Sequence, residues 1–255
     1  MPDPPSTLPG PAREAARLAE FALGLSPDEL GVLNRERALV TELLAADRRA
    51  AGAPAAAQAC ADADELGRKH LRLLATPPAF ACHENCHSCC YLKVSVTPPE
   101  VFLIAEHLAR AASTADRARI TARAVELAAD PRVFSEYEKP AARLPCPLLS
   151  DAGACSVYAA RPLACRAWNA LDAEACRRAL DDDSEPPTVH EPLARLYAAA
   201  SLGLLGALGD AGLDAPLVEL TSALGIVLSN PRALELWLAG EPVFASARAQ
   251  REPLV

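Results

Sequence analysis

Residues 81–100 read ACHENCHSCCYLKVSVTPPE and hold four of the chain's nine cysteines. Cys82, Cys86, Cys89 and Cys90 stand at i, i+4, i+7 and i+8. On a helix those positions share one face, an arc of roughly 100°. In a loop, the Cys86-x2-Cys89 step alone can form a metal knuckle. Either geometry gathers thiols. Behind them, Tyr91 to Val96 alternates enough for a short strand or an extended link. Thr97-Pro98-Pro99-Glu100 then starts a helix, with Thr as N-cap, Pro in the first turn and Glu at the third position. Val101, Ile104, Ala105 and Leu108 give that helix an apolar face.

The same start signal recurs on either side. Ser26-Pro27-Asp28-Glu29 precedes Leu30, Leu33, Val40, Leu43 and Leu44 at helical spacing. A break at Gly52-Ala53-Pro54 leads into an Ala-rich helix that ends before Thr76-Pro77-Pro78. Further helices are expected over 115–129, 190–208, 215–229 and 231–239, with Thr188 and Glu191 as a third capping box. The expected organisation is a disordered Pro-rich leader over 1–10, a helical region over 11–76 and a cysteine-rich metal-binding region over 77–180. An acidic linker over 181–187 and a helical region over 188–255 follow, and the helical parts can pack as one unit. The fold class is therefore mainly α, with little or no strand in the central region.

Composition points the same way. Of the 255 residues 51% are hydrophobic and only 4% aromatic, so the apolar mass is mainly Ala, Leu and Val, which suits helices. A chain with a formal charge of −8 gains little from phosphate contacts, so no nucleic-acid partner is expected. The first residues lack the basic and apolar segments of a secretory signal. The longest uncharged run, Leu196 to Gly209, is shorter than the roughly 20 residues that span a bilayer. These readings lead to the expectation of a cytoplasmic protein without a membrane partner. In a reducing compartment, clustered cysteines mean metal or redox chemistry rather than disulfides. The odd count and the adjacent Cys89–Cys90 pair argue the same.

A second group follows: Cys146, Cys155, Cys165 and Cys176, with eight, nine and ten residues between them. Helices in the 55 residues separating the groups can fold one back onto the other. Thiolates are the soft ligands of zinc, iron and iron–sulfur clusters. Four of them around a divalent ion leave a net charge of −2, which calls for donors behind the sulfurs. Arg161 and Arg166 flank Cys165 and suit that role. The candidate ligands are thus Cys82, Cys86, Cys89, Cys90, Cys146, Cys155, Cys165 and Cys176. His83 and His87 lie among the thiols but read as solvated or supporting residues. Cys60, alone in an Ala-rich stretch, reads as core. His70, His107 and His190 read as surface or helix residues.

Together, Cys82-x3-Cys86-x2-Cys89-Cys90, Val94-x-Val96-Thr97-x2-Glu100, Cys146-Pro147-Leu148 and Cys155-x2-Tyr158-x2-Arg161-Pro162-x2-Cys165-Arg166 resemble the YkgJ-like cysteine-cluster family. That family is described as zinc- or iron-chelating, after its CxxCxxCC motif. The likeness spans about residues 80 to 178, with three rather than two residues between Cys82 and Cys86 and with the downstream aromatic at Trp168. The resemblance implies metal binding and leaves both metal and activity open. It says nothing of the flanking helical regions. A flagellin lysine methylase is similar in its cysteine cluster.

The leading expectation is a protein that chelates zinc or iron, the latter also as an iron–sulfur cluster, through clustered thiolates. Eight thiolates would fill two four-coordinate sites, or one cluster with spare redox thiols. Tyr158 is expected beside the site and Pro162 in the turn before Cys165. The alternatives are an iron–sulfur enzyme, an oxidoreductase or a protein-modifying methylase-like one, and a thiol redox or metal sensor. No glycine-rich nucleotide loop and no nucleophile–base pair supports an enzyme directly, although a cluster enzyme needs neither.

Overall fold

The structure, a computed structural model, describes residues 24–182 and 187–248. The expected leader over 1–10, residues 11–23 of the first helical region and residues 183–186 of the expected linker lie outside them. The described residues form ten α-helices and two strands of two residues each, a mainly α protein as the sequence predicts.

Helix α1 (Pro27–Ala46) begins with the capping box the sequence spells out. Glu29 N donates to Ser26 Oγ at 3.3 Å, and Ser26 N donates to Glu29 Oε2 at 2.7 Å. Helix α2 (Ala53–Leu73) starts after Gly52 with Pro54 in its first turn. Its buried face is almost wholly small: Ala55, Ala56, Ala59, Cys60 and Ala63. Such a face lets neighbouring helices approach closely. Helix α3 (Pro98–Ala111) carries the second capping box, Thr97 and Glu100, and α4 (Thr114–Ala128) follows at once, capped by Ser113. Three short helices shape the centre: α5 (Glu138–Ala141), α6 (Leu163–Ala167) and α7 (Ala173–Asp182). Helix α7 runs two residues into the expected linker. The C-terminal part contributes α8 (Glu191–Asp210), α9 (Leu220–Ser229) and α10 (Ala233–Leu238).

One cap and one boundary differ from the expectation for one physical reason, pairing with distant chain. The cap of α8 is His190, whose Nδ1 accepts from Leu193 N, and not Thr188. Residues 188–190 are held extended instead, since Leu171 N donates to Thr188 O, His190 N donates to Asn169 O and Val189 bridges Ala170. Likewise α9 starts at Leu220 rather than 215. Strand β2 (Val218–Glu219) pairs antiparallel with β1 (Ser95–Val96), in register Ser95 to Glu219 and Val96 to Val218.

Helices from both ends of the chain share one core. Helix α1 lies along α8, α2 packs on α3 and α8, and α9 packs on α4 and α3. Val40, Ile104, Leu163, Leu204, Leu208 and Leu224 are fully enclosed members of that core. By length and apolar content α8 would span a membrane, but over half of its most apolar window is buried against the rest of the chain. Arg195 pairs with Glu29, and Arg37 with Asp210 at 2.6 Å, so α1 and α8 run side by side in the same direction. Gly203 makes their contact possible, because a Cβ there would stand 2.5 Å from Leu33 O and 2.7 Å from Glu36 Cβ.

The contact encloses Glu36 completely, and neither carboxylate oxygen has a hydrogen-bond partner. Burial, followed by the nearby Asp62 carboxylate, raises its pKa from 4.5 to about 7, against the smaller pull of Arg35. The folded protein therefore holds a proton that the unfolded chain releases above pH 4.5. This opposes folding increasingly as pH rises from 4.5 to 7, and the effect levels off above 7. Glu36→Gln is expected to stabilise the protein by about 2–3 kcal/mol at pH 8 and by almost nothing at pH 4.5. Urea denaturation at the two pH values checks this, and an equal effect at both would contradict it.

Candidate metal centre

The thiol segment 82–90 is a loop closed by a 3-10 turn, Ser88–Tyr91, not a helix. Cys86 N donates to His83 O at 3.0 Å and Cys90 N to His87 O at 2.9 Å, so two tight turns present the cysteines. The second group reaches them through backbone pairing. Cys146 N donates to Cys90 O at 2.6 Å, and Cys155 N to Glu84 O at 3.4 Å. Between these two cysteines the chain makes a small hairpin. Leu149 bridges Cys155, Ser156 N donates to Leu148 O, and Gly153 turns with φ 77°. Cys165 arrives on α6.

Six thiols thereby line one cavity of about 50 Å³: Cys86, Cys89, Cys90, Cys146, Cys155 and Cys165. Val94, Leu148, Val157, Tyr158, Pro162 and Leu220 complete its wall, together with Arg161. All nine cysteines are free thiols. Among the described residues, no three His, Cys, Asp or Glu side chains already stand close enough to grip an ion. Cys82 and Cys176 are set apart from the cavity. The Cys82 thiol donates to Trp168 O at 3.2 Å and accepts from Ala170 N at 3.3 Å. Cys176, buried on α7, faces a separate, larger cleft that Cys89 also lines. His83 and His87 are exposed and do not line the cavity, and His87 packs edge-on to Tyr91. Cys60 is 4% exposed in α2, and burial pushes its thiol up to about 12.

The electrostatics of the cavity are those of buried thiols. Burial pushes Cys146 up to about 11, against the pull of Lys139. Burial also raises Cys155 and Cys165, the latter further through Cys89, Cys146 and Cys155 beside it. Cys176 is pushed up to about 11 and Cys82 is raised, again by burial first. Cys89 differs. A hydrogen bond with the neighbouring Cys90 thiol lowers it to about 7, and Cys90 is raised in turn.

Arg161 and Arg166 play unlike parts. Arg161 lines the cavity, stacks its guanidinium 3.8 Å over the Tyr158 ring, and keeps a buried Nε without a hydrogen-bond partner. Arg166 was expected to donate towards the thiolates, and its hydrogen bonds go elsewhere. Its Nε donates to Arg161 O, one terminal nitrogen donates to Ala159 O, and the other to Asp64 of α2, each at 2.7 Å. Asp64 also accepts from Tyr197 Oη of α8 at 2.8 Å. Arg166 thus pins the loop that carries Arg161 onto the helical core.

Two buried charged groups that hold the site carry no sequence signal for that role. Glu100, read from sequence as a cap and as part of the family-like motif, is 2% exposed. One of its oxygens accepts from Thr97 N and Oγ1, and the other accepts from Leu163 N at 2.7 Å. The capping carboxylate of α3 therefore also anchors the first residue of α6, two residues before Cys165. Lys139 of α5 is likewise enclosed. It pairs with Glu219 at 3.0 Å and donates to Thr221 at 3.3 Å, while Glu219 caps α9 through Ser222 N. Charges this deeply buried are found with partners, and here each group has at least one partner on another segment, Leu163 N for Glu100 and Glu219 for Lys139.

Comparison with known families points to the same region of the chain. Residues 81–183 match a family model described as "CxxCxxCC: Putative zinc- or iron-chelating domain". The match takes in all eight candidate ligands and leaves α1, α2 and the helices after residue 190 outside it. No curated protein and no solved structure matches the chain.

Removing the Glu100 carboxylate would leave Leu163 N and Thr97 N buried without acceptors. Glu100→Ala is expected to destabilise the protein by about 2–4 kcal/mol. Denaturant unfolding measures the loss, and a change below about 1 kcal/mol would mean that α6 is held by other contacts.

Proposed function

We propose that this protein binds zinc or iron in a polynuclear thiolate centre built from Cys86, Cys89, Cys90, Cys146, Cys155 and Cys165. The observation that carries the reading is the convergence of six thiols, from three separate segments, on one small cavity. A tetrahedral ion takes four such ligands, so six favour more than one metal, as two bridged ions or as an iron–sulfur cluster. The cavity suits an anionic centre, because Arg161 brings to it a cation and a buried Nε that still needs an acceptor. A thiolate or sulfide sulfur supplies that acceptor. Closing a shell around an ion requires these side chains to turn toward it, since no three ligating side chains stand close enough among the described residues.

Cys82 and Cys176 complete the candidate set as outer ligands or as spare thiols. Both lie close enough to Cys86 and Cys89 for their charges to interact. Such a centre supplies a structural clamp when it holds zinc and electron transfer when it holds iron. Arg166, Glu100 and Lys139 position the segments around it. We place the protein in the cytoplasm, where nine free thiols persist.

The decisive experiment is anaerobic purification followed by elemental analysis and a visible absorption spectrum on the same sample. Stoichiometric zinc or iron is expected, with acid-labile sulfide if a cluster is present, and protein free of both metals would overturn the reading. Cys89→Ser and Cys90→Ser should each lose most of the bound metal, and Cys60→Ala should keep it. Unchanged metal content in the first two would remove that pair from the ligand set.

A further inference from the structure

Glu36 takes no part in the thiol cavity. Among the described residues it is the one carboxylate that is enclosed with neither oxygen hydrogen-bonded. It lies where α1 rests against α8. The strip of α8 beneath α1 runs from Arg195, paired with Glu29, past Gly203 and Gly206 to Asp210, paired with Arg37. At Gly203 the approach leaves no room for a Cβ. The charged groups around Glu36 are all engaged elsewhere. On α8, Arg195 and Asp210 are taken up by those pairs, and Glu191 acts on Arg195. On α2, both oxygens of Asp62 accept from Arg35 of α1, and Glu65 also acts on Arg35. In the 3-10 turn Arg48–Ala51, Arg48 donates to Ala211 O and Arg49 acts on Glu235.

An ionised carboxylate enclosed in this contact has no donor to satisfy it, which is costly. It regains water if α1 lifts away, and α1 is lightly held. Of its 20 residues only Glu36 and Val40 are buried, whereas α9 buries seven of its 10. The ion pairs that fasten it to α8 join partly exposed groups, and such pairs contribute little. Asp47, extended at φ −151° between α1 and the 3-10 turn, gives the chain a place to bend. We propose that α1 is a flap gated by one proton. With Glu36 protonated the flap lies closed on α8, and loss of that proton to solvent swings it off α8 about residues 47–52. Burial raises the closed carboxyl from 4.5 to about 7, with Asp62 adding to the rise. Opening releases the proton, so it is favoured increasingly from pH 4.5 to 7, and the effect levels off above 7. The flap lies outside residues 81–183 and does not depend on the thiolate reading.

Hydrogen–deuterium exchange of the full chain, read by mass spectrometry at pH 5.5 and pH 8.0 and corrected for the intrinsic rate at each pH, tests this. Protection of the α1 amides is expected to fall about thirtyfold from the lower to the higher pH. That ratio is set by a carboxyl that titrates at 4.5 when open and at about 7 when closed. The amides of α9 report opening of the whole core, and they are expected to stay at least about tenfold better protected than those of α1 at both pH values. Glu36→Gln keeps the shape of the side chain but cannot ionise, and it is expected to hold α1 protection within about threefold over the same range. Equal protection of α1 and α9 would overturn the proposal, since the helix would then open only with the whole molecule. So would α1 protection that does not change with pH, or a Gln variant as sensitive to pH as the parent.

Discussion

Both oxygens of the Glu100 carboxylate are spent on holding two chain segments together, out of reach of water. The thiol-bearing segments contain little regular structure, so they cannot support themselves. They rely on a few buried polar links to the helices: Glu100 to Leu163, Arg166 to Asp64 and Tyr197, and Lys139 to Glu219. Each link is worth little as a net gain, because its charges had to leave water. Each is costly to break from one side, because the other partner is then stranded. Position, more than stability, is what such links fix, and six sulfurs can meet at one cavity only if their backbones are placed accurately.

The helices flanking the cysteine region are therefore part of the site's construction. Asp64 comes from α2, Tyr197 from α8, and Leu220 from the start of α9 lines the thiol cavity itself. Cys89 has a different importance. It is the thiol whose ionised form its neighbour favours, and it stands where the closed cavity meets the open cleft.

Much of the helical framework was legible because its start signals are local. Ser26 to Glu29 and Thr97 to Glu100 need only four residues each to be recognised, and both boxes form. The start of α8 is legible to within one residue, but its cap is not, because the residues that hold Thr188 extended lie at 169–171, where nothing local announces a pairing. Strand β2 was hidden inside an apolar stretch that suits a helix equally well, and only β1, far away in sequence, decides it. At the site, crowding of cysteines was visible as spacing. The separation of Cys82 and Cys176 from the other six was not, since it depends on where α7 and the 168–170 turn come to rest. Arg166 looked like a partner for sulfur because it neighbours Cys165, yet its side chain turns to backbone carbonyls and Asp64. Lys139 resembles an ordinary surface residue in sequence and Glu100 reads as a helix cap, and only burial and the bond to Leu163 N reveal their further work.

The short β1–β2 ladder has a consequence for how the protein is made. It joins Val96 to Val218, and the next residues, Glu219 and Leu220, reach Lys139 and the thiol cavity. A ribosome delivers the first thiol group long before it delivers that second strand. Until then the cavity lacks part of its wall, and Lys139 has no carboxylate to face. The thiols are accordingly made well before the wall that covers them, and the cavity can be completed only after Glu219 and Leu220 are in place. Enclosure of the thiols is in this sense a late event in synthesis, set by the order of the sequence.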